Sequence, residues 1–168
     1  EYFAFVPQEM LPNLNNIFED TGVNGKSYGL DGTVVPWIKD ANSDGDLNDS
    51  GDHVYLYFGQ RRGGSHIYSM DVSNRNNPRL RWIIKGGTGD YAEMGQSWST
   101  PNVERLKLNG DTKTVLIFGG GYDIGQDTVT LRTADAVGRS QGLLAFENSG
   151  ADLVYFGKIL CMQKGSCH

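Results

Sequence analysis

The residues best suited to chemistry in this chain lie together, from Asp40 to Asp52, in the run DANSDGDLNDSGD. Five aspartates and two asparagines share these thirteen positions, with no cation among them. Asp40, Asn42, Asp44 and Asn48 fall at positions 1, 3, 5 and 9 of a calcium loop, and Gly45 falls at position 6, where a sharp turn needs positive φ. The peptide oxygen of Asp46 supplies position 7 in this register. Hard oxygen donors at alternate positions, curled by a glycine, suit a flexible cage for Ca²⁺. The five charges equal the net charge of the chain, −5, because the other 15 acidic residues balance 15 basic ones. Two carboxylates about 4 Å apart repel by roughly 1 to 4 kcal/mol, depending on the local dielectric. A bound divalent ion relieves that strain. Position 12, where a helical EF-hand carries a bidentate Glu, is Gly51, and the next carboxylate is Asp52. The competing reading is an Asp/Asn-rich turn that carries no metal.

The segments that must position this loop are strands. VVPWIK before it and HVYLYFG after it are rich in β-branched and aromatic residues, which predicts an EF-hand-like loop between strands. His53–Gly59, HVYLYFG, is echoed by Thr114–Gly120, TVLIFGG, about sixty residues later. A glycine-rich turn follows each, then a further strand: Ser65–Ser73, SHIYSMDVS, in the first copy and Gln141–Ser149, QGLLAFENS, in the second. A last strand closes each copy, Leu80–Lys85 and Leu153–Ile159. Upstream lie GTVVPWIK from Gly32 and STPNVERLKL from Ser99, and Asn109-Gly110-Asp111 makes the first turn of the second copy. Four antiparallel strands repeated at this spacing describe blades of an all-β propeller more readily than an immunoglobulin-type sandwich. A blade needs about 40–50 residues and a closed ring at least four blades, so 168 residues make a propeller segment. The expected division is a lead-in over 1–30, a blade with the acidic loop over 31–87, a second blade over 95–160 and a tail over 161–168. The lead-in holds Pro7 and Pro12 and a short amphipathic turn between Glu9 and Phe18, and is expected to pack across the ring as a clasp.

Composition narrows the classes. Gly is 23 of 168 residues and aromatics are 11%, which favours short strands joined by turns. An isoelectric point near 5.1 and scattered basic residues, apart from Arg61-Arg62, argue against a nucleic-acid surface. No apolar run approaches the roughly 20 residues of a membrane-spanning helix. The chain opens at Glu1 rather than Met, so an excised portion of a longer protein is expected, with the missing blades in the same parent chain. Cys161 and Cys167 either close a small disulfide loop in an oxidising compartment or are two unrelated thiols.

Other constellations are weaker. Gly119-Gly120-Gly121 has no Lys-Ser/Thr after it and reads as a strand-ending turn rather than a phosphate cradle. His53, His66 and His168 share no ligand spacing. Gly95-Gln96-Ser97-Trp98 resembles a nucleophile elbow only loosely, because no helix pattern follows. Asp123, Asp127 and Asp135 read as a solvated acidic loop, with a second, looser cation site as the alternative. Trp37, Trp82 and Trp98 are expected in the core between blades.

FAFVPQEMLPNL at the start, LDGTVV, YFGQRRGGSHIYSMDVSN, GQSWSTPNV and LIFGGGYD occur here in one order. In that order they resemble the C-terminal propeller of the PilC/PilY family, the type IV pilus tip-associated proteins. The resemblance reaches to about Phe146, and FGKILCMQKGSCH at the end has no counterpart. It implies a modified seven-bladed β-propeller displayed at the pilus tip or outer surface of a bacterium after export through the periplasm. It also implies minor pilin proteins at the tip and a host or surface receptor as partners, with calcium governing pilus extension against retraction. The family's ligands fall on Asp40, Asn42, Asp44, the carbonyl of Asp46, and Asn48. Asn48 stands where the family usually has Asp, an exchange that weakens binding unless Asp49 or Asp52 compensates. No Arg-Gly-Asp tripeptide is present. A non-enzymatic, calcium-regulated pilus biogenesis and adhesion module is therefore expected. The rival is a quinoprotein-dehydrogenase-like propeller that holds calcium against a quinone, although such enzymes scatter their calcium ligands along the chain. A carbohydrate-binding or purely structural propeller is the third reading.

Overall fold

The run HVYLYFG alternates large side chains on both faces, which suits a strand covered on each side. In a computed structural model, residues 3–19, 26–108, 110–128, 142–146 and 153–158 are described, and this run forms the second of eight strands. The strands are β1 Val35–Lys39, β2 His53–Gly59, β3 Ile67–Asp71, β4 Arg79–Ile84, β5 Asn102–Leu108, β6 Asp111–Phe118, β7 Gly142–Phe146 and β8 Leu153–Lys158. They make two four-stranded antiparallel sheets, each paired in chain order, β1-β2-β3-β4 and β5-β6-β7-β8. The strands expected from the repeated sequence are all found: His53–Gly59 with the expected bounds, the others with ends shifted by up to a few residues, β6 starting three residues earlier at Asp111. Pro36 sits in β1, an edge strand, where a missing N–H leaves no central ladder unmade. Leu108 pairs with Asp111, and Gly110 takes φ +94° in the tight turn between them. Cys161, Cys167, His168, Asp135 and Asn109 lie outside the described residues.

One core lies between the sheets. Tyr55, Tyr57, Ile67 and Ile84 of the first sheet pack with Met94, Leu116 and Phe118, and Trp37, Trp82 and Val103 flank them. Full burial of aliphatic residues such as Ile67 and Leu116 stabilises by roughly 1.5–3 kcal/mol each. The alternate residues of β2 and β3 point the other way. Phe58, Tyr68 and Met70 form a second cluster that the lead-in covers. Phe5 meets Phe58 and Tyr68 edge-on, with ring centroids 5.9 and 5.8 Å away. Past Phe5 the lead-in forms a 3-10 turn, Gln8–Asn13, and a short helix, α1 Leu14–Glu19. Met10 is buried, whereas Phe18 is 88% exposed.

A polar seam ties the lead-in and the loops to this second face. Gln60, 3% exposed, donates to Tyr68 Oη at 2.9 Å and accepts from the His66 amide at 2.9 Å, while the Tyr68 hydroxyl donates to Glu9. Burial pushes the Tyr68 hydroxyl well above the ordinary phenol range, and the Glu9 carboxylate adds to this. Burial holds the His66 imidazole below its ordinary 6.5, with Glu9 opposing the shift and Lys85 adding to it. Burial alone raises the Glu9 carboxyl, but the bond from Tyr68, a backbone bond and the charges of His66 and Lys85 outweigh it and hold it below 4.5. With both folded pKa values depressed, the unfolded chain takes up each proton first, so stability falls with acidification. The expected loss begins as pH drops through the ordinary histidine range and continues through the carboxylate range. Melting temperatures between pH 8 and pH 5 check the first part, and His66→Phe is expected to flatten it.

Candidate metal centre

The acidic run is the hairpin between β1 and β2, whose last and first residues, Lys39 and His53, are paired. An aromatic stack roots it. Tyr55 lies between Trp37 and His53, with ring centroids 5.4 and 5.2 Å away, and the Arg81 guanidinium sits 3.7 Å from its ring centroid. Arg81 reaches that position because the β3–β4 register shifts between Ser69 and Met70, leaving Arg81 outside the ladder.

Within the hairpin the side-chain oxygens organise the backbone. Asp40 accepts from the Ser43 amide at 2.6 Å and the Gly45 amide at 2.8 Å, so position 1 clasps positions 4 and 6. Gly45 takes φ +86°, as the loop register requires, and a Cβ there would meet nothing within 4 Å, so the turn selects glycine by conformation alone. A ladder of Asx turns follows. Asn42 accepts from the Asp44 amide at 3.2 Å, Asp44 from Asp46 at 2.8 Å, and Asp46 from Asn48 at 3.1 Å. The Asn42 side-chain amide bridges two carboxylates, donating to Asp44 at 3.0 Å and Asp49 at 2.8 Å. Asp52, only 6% exposed, accepts from the Ala41 amide and the Asp49 amide, both at 2.8 Å, and thereby closes the base of the hairpin.

The order of oxygen donors along the hairpin is that of a calcium loop, and Asp40 draws the amides of positions 4 and 6 towards position 1. Asp46 and Asn48 bond each other through their side chains, which leaves the peptide oxygen as the donor expected of Asp46. Among the described residues, no three His, Cys, Asp or Glu side chains converge on one point. A metal held here would have to draw on amide and peptide oxygens as well as carboxylates. The role of Asp52 in holding two backbone amides was not legible in the sequence. Its signal was only its place one residue beyond Gly51.

The other sequence candidates separate in the structure. Ser97, 1% exposed, accepts from the Gln60 amide at 2.8 Å and donates to the His66 carbonyl at 2.9 Å, which makes it a bolt between loops. Asp123 caps a short 3-10 turn by accepting from the Gly125 amide, and Asp127 accepts from the Tyr122 hydroxyl. Trp37 and Trp82 flank the core as expected. Trp98 does not. It is 37% exposed, because its neighbours Gln96, Arg61 and Arg62 keep it at a polar surface.

No family model matches the chain. The Type IV pilus biogenesis factor PilY1 of Pseudomonas aeruginosa strain PAO1 is 30% identical over 135 residues, 80% of this chain. The chain belongs to the PilC/PilY family of type IV pilus proteins. The same protein from P. aeruginosa strain PAK matches equally, and the chain spans 11% of the length of each. The crystal structure of the P. aeruginosa PilY1 C-terminal domain aligns with 92% of this chain and 26% of its own, at 23% identity and a TM-score of 0.47.

Proposed function

We propose that this family member is a calcium-binding, non-enzymatic part of a type IV pilus biogenesis and adhesion protein. In this reading the two sheets are neighbouring blades of a seven-bladed propeller, and the Asp40–Asp52 hairpin is its EF-hand-like site. The observation that carries it is the double clasp of Asp40 on the Ser43 and Gly45 amides, in a chain related to a pilus biogenesis factor. Calcium supplies a charge that offsets the hairpin's five carboxylates and draws the inner oxygens together. Asp40, Asn42, Asp44, the Asp46 carbonyl and Asn48 would hold it, with Asp49 as the added carboxylate and Asp52 fixing the base. Occupancy then stiffens a surface hairpin and regulates extension against retraction through minor pilin partners at the pilus tip. The protein acts outside the cell, at the pilus or cell surface, and contributes to attachment. Among the described residues, no helix is long and apolar enough to cross a membrane.

Calorimetric titration tests this reading. The expected Kd is about 10⁻⁴ to 10⁻³ M, the range of extracellular calcium modules. Calcium at about tenfold above Kd stabilises by about 1.4 kcal/mol, or roughly 3–6 °C in melting temperature. A wild-type melting temperature that is the same in calcium and in chelator sinks the proposal.

A further inference from the structure

We propose that a second site, remote in sequence from the acidic hairpin, binds an acidic saccharide in the cleft beside Arg62. The cleft encloses about 660 Å³, within the range of small-ligand sites. Arg62 and Gly63 of the loop Gln60–Gly64, QRRGG, line it, and the build of that loop explains why Arg62 faces outward. Gln60 is buried and bonded at both ends of its amide, which fixes the loop from below. A Cβ on Gly63 would lie 2.0 Å from the Gly29 carbonyl oxygen, so this glycine lets the loop press against the segment that carries Tyr28. Arg61 is held at φ +50°, a left-handed conformation that costs a non-glycine residue on the order of 1 kcal/mol.

The arginines are oriented by aromatic rings rather than by carboxylates. The Arg62 guanidinium stands 5.2 Å from the Tyr28 ring and 5.5 Å from the Trp98 ring, and donates to Tyr28 Oη at 3.0 Å. The Arg61 guanidinium stands 4.8 Å from the Trp98 ring. Gln96 locks the wall, donating to the Arg62 carbonyl and accepting from Trp98 Nε1, each at 3.1 Å. No carboxylate pairs with either guanidinium among the described residues; Lys26 lines the same cleft, and so does Asp127, whose carboxylate accepts from the Tyr122 hydroxyl. In a chain of net charge −5, a cleft where the pre-set Arg62 guanidinium and Lys26 outnumber the Asp127 carboxylate favours an anion.

The remaining lining indicates a carboxylated sugar rather than a bare ion. The Tyr122 ring, 36% exposed, offers a flat apolar face for sugar C–H groups. Asn13 offers a planar amide suited to a neighbouring hydroxyl, and the Arg62 fork suits a carboxylate. A uronate residue satisfies all three at once.

The test uses a galacturonate tetramer as probe, with the whole chain titrated by calorimetry and by tryptophan fluorescence. Saturable binding is expected, at least tenfold tighter than that of a neutral glucose tetramer. Arg62→Gln and Lys26→Gln should each weaken the acidic probe several-fold, while leaving the calcium titration unchanged. Trp98→Phe should keep binding by calorimetry but lose most of the fluorescence change. Equal affinity for the neutral tetramer overturns the proposal. So does displacement of the probe by acetate or phosphate at matched charge, which would leave only a generic anion site, or equal binding of hexaglutamate.

Discussion

Asp44→Ala is expected to abolish the calcium-dependent rise in melting temperature while leaving the metal-free value within about 2 °C of wild type. The reason lies in what this carboxylate does without metal. It is exposed, and among the described residues accepts only from the Asp46 amide and the Asn42 side chain. Removing it costs one Asx turn in solvent but also relieves repulsion from the carboxylates of the same hairpin. In the proposed site it is the charged donor at position 5. Asp40→Ala should differ, because it also releases the Ser43 and Gly45 amides and so lowers the metal-free value too. Asp46→Asn should keep the calcium response, since the peptide oxygen is the proposed donor and the side chain is engaged with Asn48. Scanning calorimetry in calcium and in chelator reads all three. A full calcium response in Asp44→Ala would place the ion elsewhere.

The strands were legible because their signal is local. HVYLYFG and TVLIFGG carry the β-branched and aromatic residues of a strand buried on both faces, and the turns beside them carry glycine. In the hairpin, the positive φ of Gly45 was legible for the same reason, because a sharp turn is a local demand. What was not legible depends on distant partners. Ser97 is a buried bolt because Gln60 and His66, more than thirty residues away, bring polar backbone groups to it. Trp98 was expected inside, as its size suggests, yet the loop at Arg61-Arg62 keeps it at the surface. Glu9 reaches Tyr68 across 59 residues, so no spacing rule could link them.

The run Gly119-Gly120-Gly121 has a structural role of this distant kind, and Gly121→Ala is expected to lower the melting temperature by about 10 °C or more. Gly121 takes φ +97°, which costs an alanine about 1 kcal/mol or more. Its Cβ would also lie 2.6 Å from the Gly95 carbonyl carbon and oxygen and 2.7 Å from the Gln96 oxygen, all backbone atoms. Those two segments are bonded at the same place: Gly95 N to Gly120 O at 2.9 Å, Gln96 N to Tyr122 O at 2.8 Å, and Tyr122 N to Gln96 O at 2.9 Å. A methyl group must push the chains apart and weaken all three, each contributing about 1 kcal/mol. The sum, on the order of 3–5 kcal/mol, is a large share of the stability of a typical domain. Two other glycines separate the terms. Gly110→Ala meets the same positive φ, +94°, with nothing within 4 Å, so it should cost only the conformational part. Gly119→Ala meets Ser99 at an ordinary 3.5 Å and should be mild. Equal losses for Gly121→Ala and Gly110→Ala would mean that the backbone approach at Gly95 carries no stability of its own.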